Sequence, residues 1–212
     1  MTPLVWHERD RGHTEGETAP DALSRAGLLG RIGAGLAAAL GGGAAAAGLT
    51  SALGAPARHG RDRAVFAFAI TLEHLQVAFY SQALKSGKLT GEFRQFAQVV
   101  AAEERKHLTY LTGVAGGRAA RVPSFTFGDA LSSEAKFIAA AVSIEDMGLA
   151  AYNGQAGNLS SGARARVGRV ISVEARHAAW ARALAGKQPA PVAVDVPISA
   201  AAAQRAIKPY LA

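Results

Sequence analysis

Six side chains able to bind metal recur in a fixed order along this chain: Glu73, then Glu104 with His107, then Glu145, then Glu174 with His177. In both Glu-x-x-His pairs the spacing of three puts the two side chains on one face of a helix. Glu73 and Glu145 stand alone, and each is followed one heptad later by a tyrosine, Tyr80 and Tyr152. Carboxylates bind and bridge hard divalent cations, and an imidazole can complete the sphere of each. Four glutamates converging on an apolar interior would be strongly unfavourable without compensating charge. Two divalent cations would neutralise them. The chemistry implied is therefore a two-metal carboxylate centre, in which one glutamate comes from each of two helices and a Glu-x-x-His pair from each of two others. Six metal ligands are expected: Glu73, Glu104, His107, Glu145, Glu174 and His177. Iron and manganese suit such ligands about equally.

Helices must position these residues, and the apolar spacing supplies four. The stripes run Phe66, Ile70, Glu73, Val77, Tyr80, Leu84; then Phe93, Ala97, Val100, Glu104, His107, Leu111; then Ile138, Ala141, Glu145, Gly148, Tyr152, with Leu149 flanking; and Ala163, Val167, Val170, Glu174, His177, Ala181, Leu184. Each metal-binding residue lies inside a stripe that bundle helices bury against each other. Ser86 to Gly91 and Gly154 to Gly162 are short connections, whereas Gly113 to Asp129 is long enough to run the length of a bundle. Two helical hairpins joined by one long crossover give an all-α, ferritin-like four-helix bundle over residues 58–188. The halves repeat at an offset of about 70 residues, Glu73 against Glu145 and Glu104 against Glu174, as in a duplicated hairpin. Residues 189–212 form a Pro-rich C-terminal extension in which Pro189, Pro191 and Pro197 break the helical pattern. Val192 to Val194 is at most a short strand, and a small helix runs from about Ser199 to Tyr210.

Around the expected ligands, a histidine that binds metal usually donates its other ring N–H to a carboxylate or carbonyl. Glu103 and Asp146, each one step from a ligand glutamate, are candidates to reach a histidine on a neighbouring helix. The alternative for both is a surface ion pair, for instance with Lys106 or Arg176. Tyr80 and Tyr152 are candidates to hydrogen-bond ligands or relay an electron. His74 points away from Glu73 and is expected at the rim.

The chain of 212 residues is 50% hydrophobic and 18% charged, which excludes a disordered polyelectrolyte. It has no cysteine, so thiolate metal sites, disulfides and cysteine nucleophiles are excluded. The net charge is +7, but its 23 Lys and Arg form no basic run and have no aromatics interleaved among them, so no nucleic-acid partner is expected. The N-terminus differs in kind. Residues 1–57 comprise a polar leader, the flank Ser24-Arg25-Ala26-Gly27-Leu28-Leu29-Gly30-Arg31, and an Ala/Gly/Leu run from Ile32 to Leu53, followed by Ala55-Pro56-Ala57. This is the layout of an export signal cleaved after Ala57. Ser-Arg-x-x-Leu-Leu resembles a twin-arginine signal, although Ala26 stands where the second arginine belongs. An uncleaved membrane anchor, or an apolar helix docked on the body, remains the alternative; a membrane partner is expected only through this segment.

Thr71-Leu72-Glu73-His74-Leu75, Ser143 to Gly148 with Ala150-Ala151-Tyr152, and Val173-Glu174-Ala175-Arg176-His177-Ala178-Ala179 resemble the bacterial ferritin-like domain family, which is related to desiccation-associated proteins. The ending Pro191-Val192 through Asp195, Pro197 and Pro209-Tyr210-Leu211 is similar as well. The resemblance covers roughly residues 62–212. It implies a ferritin-like bundle outside the cytoplasm (periplasm, cell wall or secreted) and does not supply a reaction. Two functions are expected to compete. One is a di-metal protein that binds or oxidises Fe(II), or handles peroxide or O₂. The other is a structural, stress or desiccation protein whose metals only stabilise the bundle. A storage cage is disfavoured by the Pro-rich tail; a homodimer remains open.

Overall fold

The computed structural model describes residues 45–117 and 122–212, with side chains from residue 60 onward. The signal or anchor expected over residues 1–57 lies outside these residues, apart from helical backbone from Ala45. Five α-helices occur among the described residues, with no strand: α1 (Ala45–Lys85), α2 (Gly91–Val114), α3 (Glu134–Ala156), α4 (Ser161–Leu184) and α5 (Ala200–Ile207). Short 3₁₀ turns lie at Gly128–Leu131 and Lys208–Tyr210. The chain from Thr50 to Ala212 is one compact unit. It is an all-helical bundle in which α1–α2 and α3–α4 are hairpins and the segment from Ala115 to Ser133 is the long crossover.

The turns follow from their residues. α1 stops at Gly87, whose φ of 69° is costly for any residue with a Cβ. Ser133 and Ser160 cap α3 and α4 by accepting from the backbone N–H of Lys136 and Ala163. Two carboxylates then tie the hairpins together. Asp62 on α1 accepts from the backbone N–H and hydroxyl of Ser160 at 2.8 and 2.6 Å. Glu134 on α3 accepts from the same two groups of Thr90 at 2.6 and 2.8 Å. Asp62 and Glu134 occupy equivalent places in the repeat, as do Thr90 and Ser160. The duplication therefore extends from the centre of the bundle to its caps.

Two apolar layers sandwich the polar centre. One contains Leu72, Leu75, Phe79, Tyr80, Phe96, Val100, Phe137 and Ile144. Its rings pack closely, with Phe79 stacked on Phe137 at 5.4 Å and Phe96 edge-on to Trp180 at 5.2 Å. The other contains Val65, Phe66, Ile70, Leu111, Tyr152, Val167 and Val170. In α2, α3 and α4 the expected ligands fall between the two layers in sequence, and in α1 Glu73 lies where the second layer, ending at Ile70, gives way to the first, beginning at Leu72.

The C-terminal extension forms no strand at Val192–Val194; it is bent and exposed there. It is pinned further on. Ile198 donates its backbone N–H to Ala150 O at 3.0 Å, and its carbonyl lies so close to α3 that a Cβ on Gly154 would sit 1.8 Å from it. α5 buries Ala203 and Ile207, and the end of the chain pairs with the crossover through Thr126 N–H to Tyr210 O and Ala212 N–H to Ser124 O.

The stripe read along α1 needs one correction. Val77 and Leu84 are only partly buried, and Gln76 and Ala83 take the inward places. The buried residues Phe66, Ala69, Glu73, Gln76, Tyr80 and Ala83 also recur at steps of three and four, one residue earlier than the expected stripe at 76 and 83, so spacing alone does not choose between the two phases.

Candidate metal centre

Glu73, Glu104, Glu145 and Glu174 are each 0% exposed, and His107 and His177 are buried beside them. The six side chains offer two overlapping quartets of metal-binding atoms, Glu73–Glu104–His107–Glu174 and Glu104–Glu145–Glu174–His177. Within each quartet these atoms lie within 4.8 Å of one another. Glu104 and Glu174 belong to both. Glu104 turns Oε2 to His107 Nδ1 at 3.0 Å and Oε1 to His177 Nδ1 at 2.9 Å. Glu174 places Oε1 at 2.9 Å from His107 Nδ1 and Oε2 on the other side, against Gln76. Both carboxylates thus face two ways, whereas Glu73 and Glu145 serve one side each.

Several of these contacts are near without being directed. His177 Nδ1 and Glu104 Oε1 make no hydrogen bond despite their separation, and Glu73 Oε2 and Glu174 Oε1 are buried without a hydrogen-bond partner. Buried polar atoms are ordinarily satisfied. Buried ligand-type atoms that lie within 4.8 Å of one another and lack hydrogen-bond partners have the arrangement that shared cations would satisfy. The donor set, oxygen-rich with one imidazole per quartet, suits iron or manganese. The cluster is compatible with a two-metal site.

The remaining ligand oxygens are held from outside. Tyr80 donates to Glu145 Oε1 at 2.5 Å, and Tyr152 donates to Glu73 Oε1. Each tyrosine reaches across to the glutamate of the other half. Burial and the adjacent carboxylates drive both phenols well above their usual range, so they remain donors at neutral pH. His177 Nε2 lies 2.6 Å from Glu103 Oε2, an interhelical contact between α4 and α2. Asp146 lies elsewhere: its carboxylate pairs with Arg182 at 2.6 Å, one of the surface ion pairs that compete for such residues. His74 is half-buried, outside the quartets.

Protons settle the electrostatics of the set when no cation does. Burial pushes the Glu73, Glu145 and Glu174 carboxyls up, and the Glu104 charge pushes in the same direction. Burial acts likewise on Glu104, but the adjoining His107 and His177 imidazoles outweigh it and bring it to about 2. Burial alone would lower the histidines, yet the surrounding carboxylates raise His107 to about 12 and His177 to about 9.

Gln76 is the participant that the spacing analysis missed. It is 1% exposed and donates through Nε2 to Glu145 Oε2 at 3.3 Å and Glu174 Oε2 at 3.1 Å. A signal for it existed. Gln76 stands three residues after Glu73, the same step that joins each glutamate to its histidine in α2 and α4.

A helical bundle with a duplicated set of buried Glu and Glu-x-x-His residues defines the class of carboxylate-centred four-helix proteins. The ferritin-like domain family matches residues 61–187, more than half of the chain, a span that includes all six clustered Glu and His residues. The chain belongs to the ferritin-like domain family. No curated protein matches it.

Proposed function

We propose that this is an exported ferritin-like protein that holds two divalent cations, iron or manganese, at a carboxylate-bridged centre and uses them to oxidise Fe(II) or to react with peroxide or O₂. The observation that carries this reading is the two-way orientation of Glu104 and Glu174, each with one oxygen toward either quartet. Glu104 and Glu174, which belong to both quartets, would hold both cations. Glu73 with His107, and Glu145 with His177, complete the two sides. When bound, the metal pair supplies binding and polarisation of an oxygen species and a place to store electrons.

The protein residues perform the remaining tasks. Tyr80 and Tyr152 hold one oxygen of each terminal glutamate, which leaves the other directed inward. The two apolar layers exclude bulk water and strengthen every charge interaction between them. His107 is the most exposed of the six, with 10% of its side chain accessible, so a small reactant reaches the centre from its side. Export rests on the signal-like residues 1–57 and places the mature terminus near Arg58, outside the cytoplasm.

A second reading follows from the complete burial of all four glutamates. A site so closed can serve the fold alone, as in a structural or desiccation-related protein. Anaerobic loading of the purified chain with Fe(II), followed by exposure to O₂ or peroxide, separates the two. Repeated Fe(II) oxidation or peroxide consumption, lost in Glu104→Ala, supports the redox reading. Metal binding and stabilisation without turnover supports the structural one. Failure to bind metal overturns both.

A further inference from the structure

The repeat that builds the centre is broken at two places, and both breaks favour the same side. Gln76 follows Glu73 by three residues; the matching position after Glu145 is Gly148, which has no side chain. Gln76 uses that gap. A Cβ on Gly148 would meet Gln76 Nε2 at 3.5 Å and its Oε1 at 3.8 Å. Its amide reaches Glu145, which belongs only to the His177 quartet, and the oxygen of Glu174 that faces away from His107. Gln76 Oε1 is itself buried without a partner, an additional oxygen donor beside that quartet. The second break is at Glu103, which contacts His177 Nε2 at 2.6 Å. Its counterpart in the repeat is Val173, which can accept nothing from His107.

We infer that the two metal positions are unequal, and that the His177 side is the tighter one and fills first because Gln76 and Glu103 support it alone. This rests on the two-cation reading above. The physical cause is orientation and basicity. A carboxylate that accepts from the outer imidazole N–H fixes the tautomer, turns Nδ1 inward as a ligand and makes it a stronger donor. A carboxamide that holds Glu145 and Glu174 removes part of the ordering cost of bringing two carboxylates to one cation. The His107 side has neither support. Gln76 and Glu103 are thus positioning residues, and the asymmetry lets the duplicated site keep one cation resident while the His107 side, the more accessible one, exchanges.

Mn(II) titration of the metal-free full chain, with free Mn(II) counted by electron paramagnetic resonance, tests this directly. Wild type should take up two Mn(II) in resolved steps. Gln76→Met, which conserves volume, and Glu103→Gln, which removes charge at a half-exposed position, should each weaken the tighter step by about tenfold, the low end of what loss of such support costs. The weaker step should change less. Both effects should persist in a His107→Ala background; the Glu103 effect, which acts through the imidazole, should vanish in His177→Ala, and the Gln76 effect should shrink in Glu145→Ala, a dependence that general loss of stability would not produce. Two equal wild-type steps, or variants that weaken both steps alike, would overturn the inequality while leaving the two-cation centre intact. Wild type that binds no Mn(II) would instead overturn the centre itself, and the inequality with it.

Discussion

The Tyr80 hydroxyl on α1 donates to Glu145 Oε1 on α3 at 2.5 Å, across the interior of the bundle. Its counterpart Tyr152 returns the same bond to Glu73. Each half of the repeat therefore orients the terminal glutamate of the other, and a hairpin alone would leave both the phenol and the carboxylate unpartnered.

Tyr80→Phe and Tyr152→Phe should each destabilise the metal-free protein by about 1–3 kcal/mol, since a buried acceptor loses its donor. The two losses should be similar, because the positions are equivalent. Urea denaturation monitored by circular dichroism measures both. A large loss at one site and none at the other would contradict the reciprocal arrangement.

Bridging predicts unequal metal losses. Glu104→Ala and Glu174→Ala each remove an oxygen from both quartets and should abolish binding of both cations. Glu73→Ala and Glu145→Ala each affect a single quartet and should leave about one cation per chain. Metal analysis after gel filtration distinguishes these outcomes, and equal losses across all four variants would argue against a shared centre.

The response to pH should reverse on metal loading. In the metal-free fold His177 is raised from 6.5 to about 9, so its stabilising contribution is complete below pH 6.5 and is lost as pH rises through about 9. His107, raised to about 12, acts in the same direction over a longer range. The raised Glu73, Glu145 and Glu174 also lose stabilisation as pH climbs above 4.5. Glu104 is the exception; its contribution is lost as pH falls from 4.5 through about 2. The metal-free melting temperature should therefore decline from pH 5 to pH 8. With saturating Mn(II) the gap between loaded and metal-free protein should widen over that interval, because the cation replaces those protons. Calorimetry at both pH values, with and without Mn(II), reads the difference; a gap that narrows would refute the assignment.

Gly154→Ala should release the C-terminal extension from α3. The added methyl collides with the Ile198 carbonyl, a backbone atom that cannot rotate away. Limited proteolysis should then cleave between residues 188 and 199 faster than in wild type, with the bundle fragment intact. Unchanged cleavage would mean that the contact does not hold the segment.

The four helices, their hairpin order and the six Glu and His residues that cluster at the centre were legible in the sequence because helix periodicity and the step of three are local properties. A glutamate inside an apolar stripe marks itself by its cost. The crossover and the tail break at their Gly and Pro residues, which also act locally.

Contacts between helices are not local, and there the tertiary structure decided. Glu103 and Asp146 look alike in sequence, each one step from a ligand glutamate. Packing puts Glu103 against His177 and Asp146 against Arg182. Gln76 looks like any polar residue on a helix until α1 packs against its neighbours. That packing leaves Val77 at the edge and the carboxamide inward, in the space beside Gly148. The spacing of side chains along a helix follows from backbone geometry alone, whereas the rotation and depth of that helix follow from what it packs against. The six clustered Glu and His residues were therefore determined one helix at a time, and the contacts of Gln76 and Glu103 on one side of them arose only when four helices met.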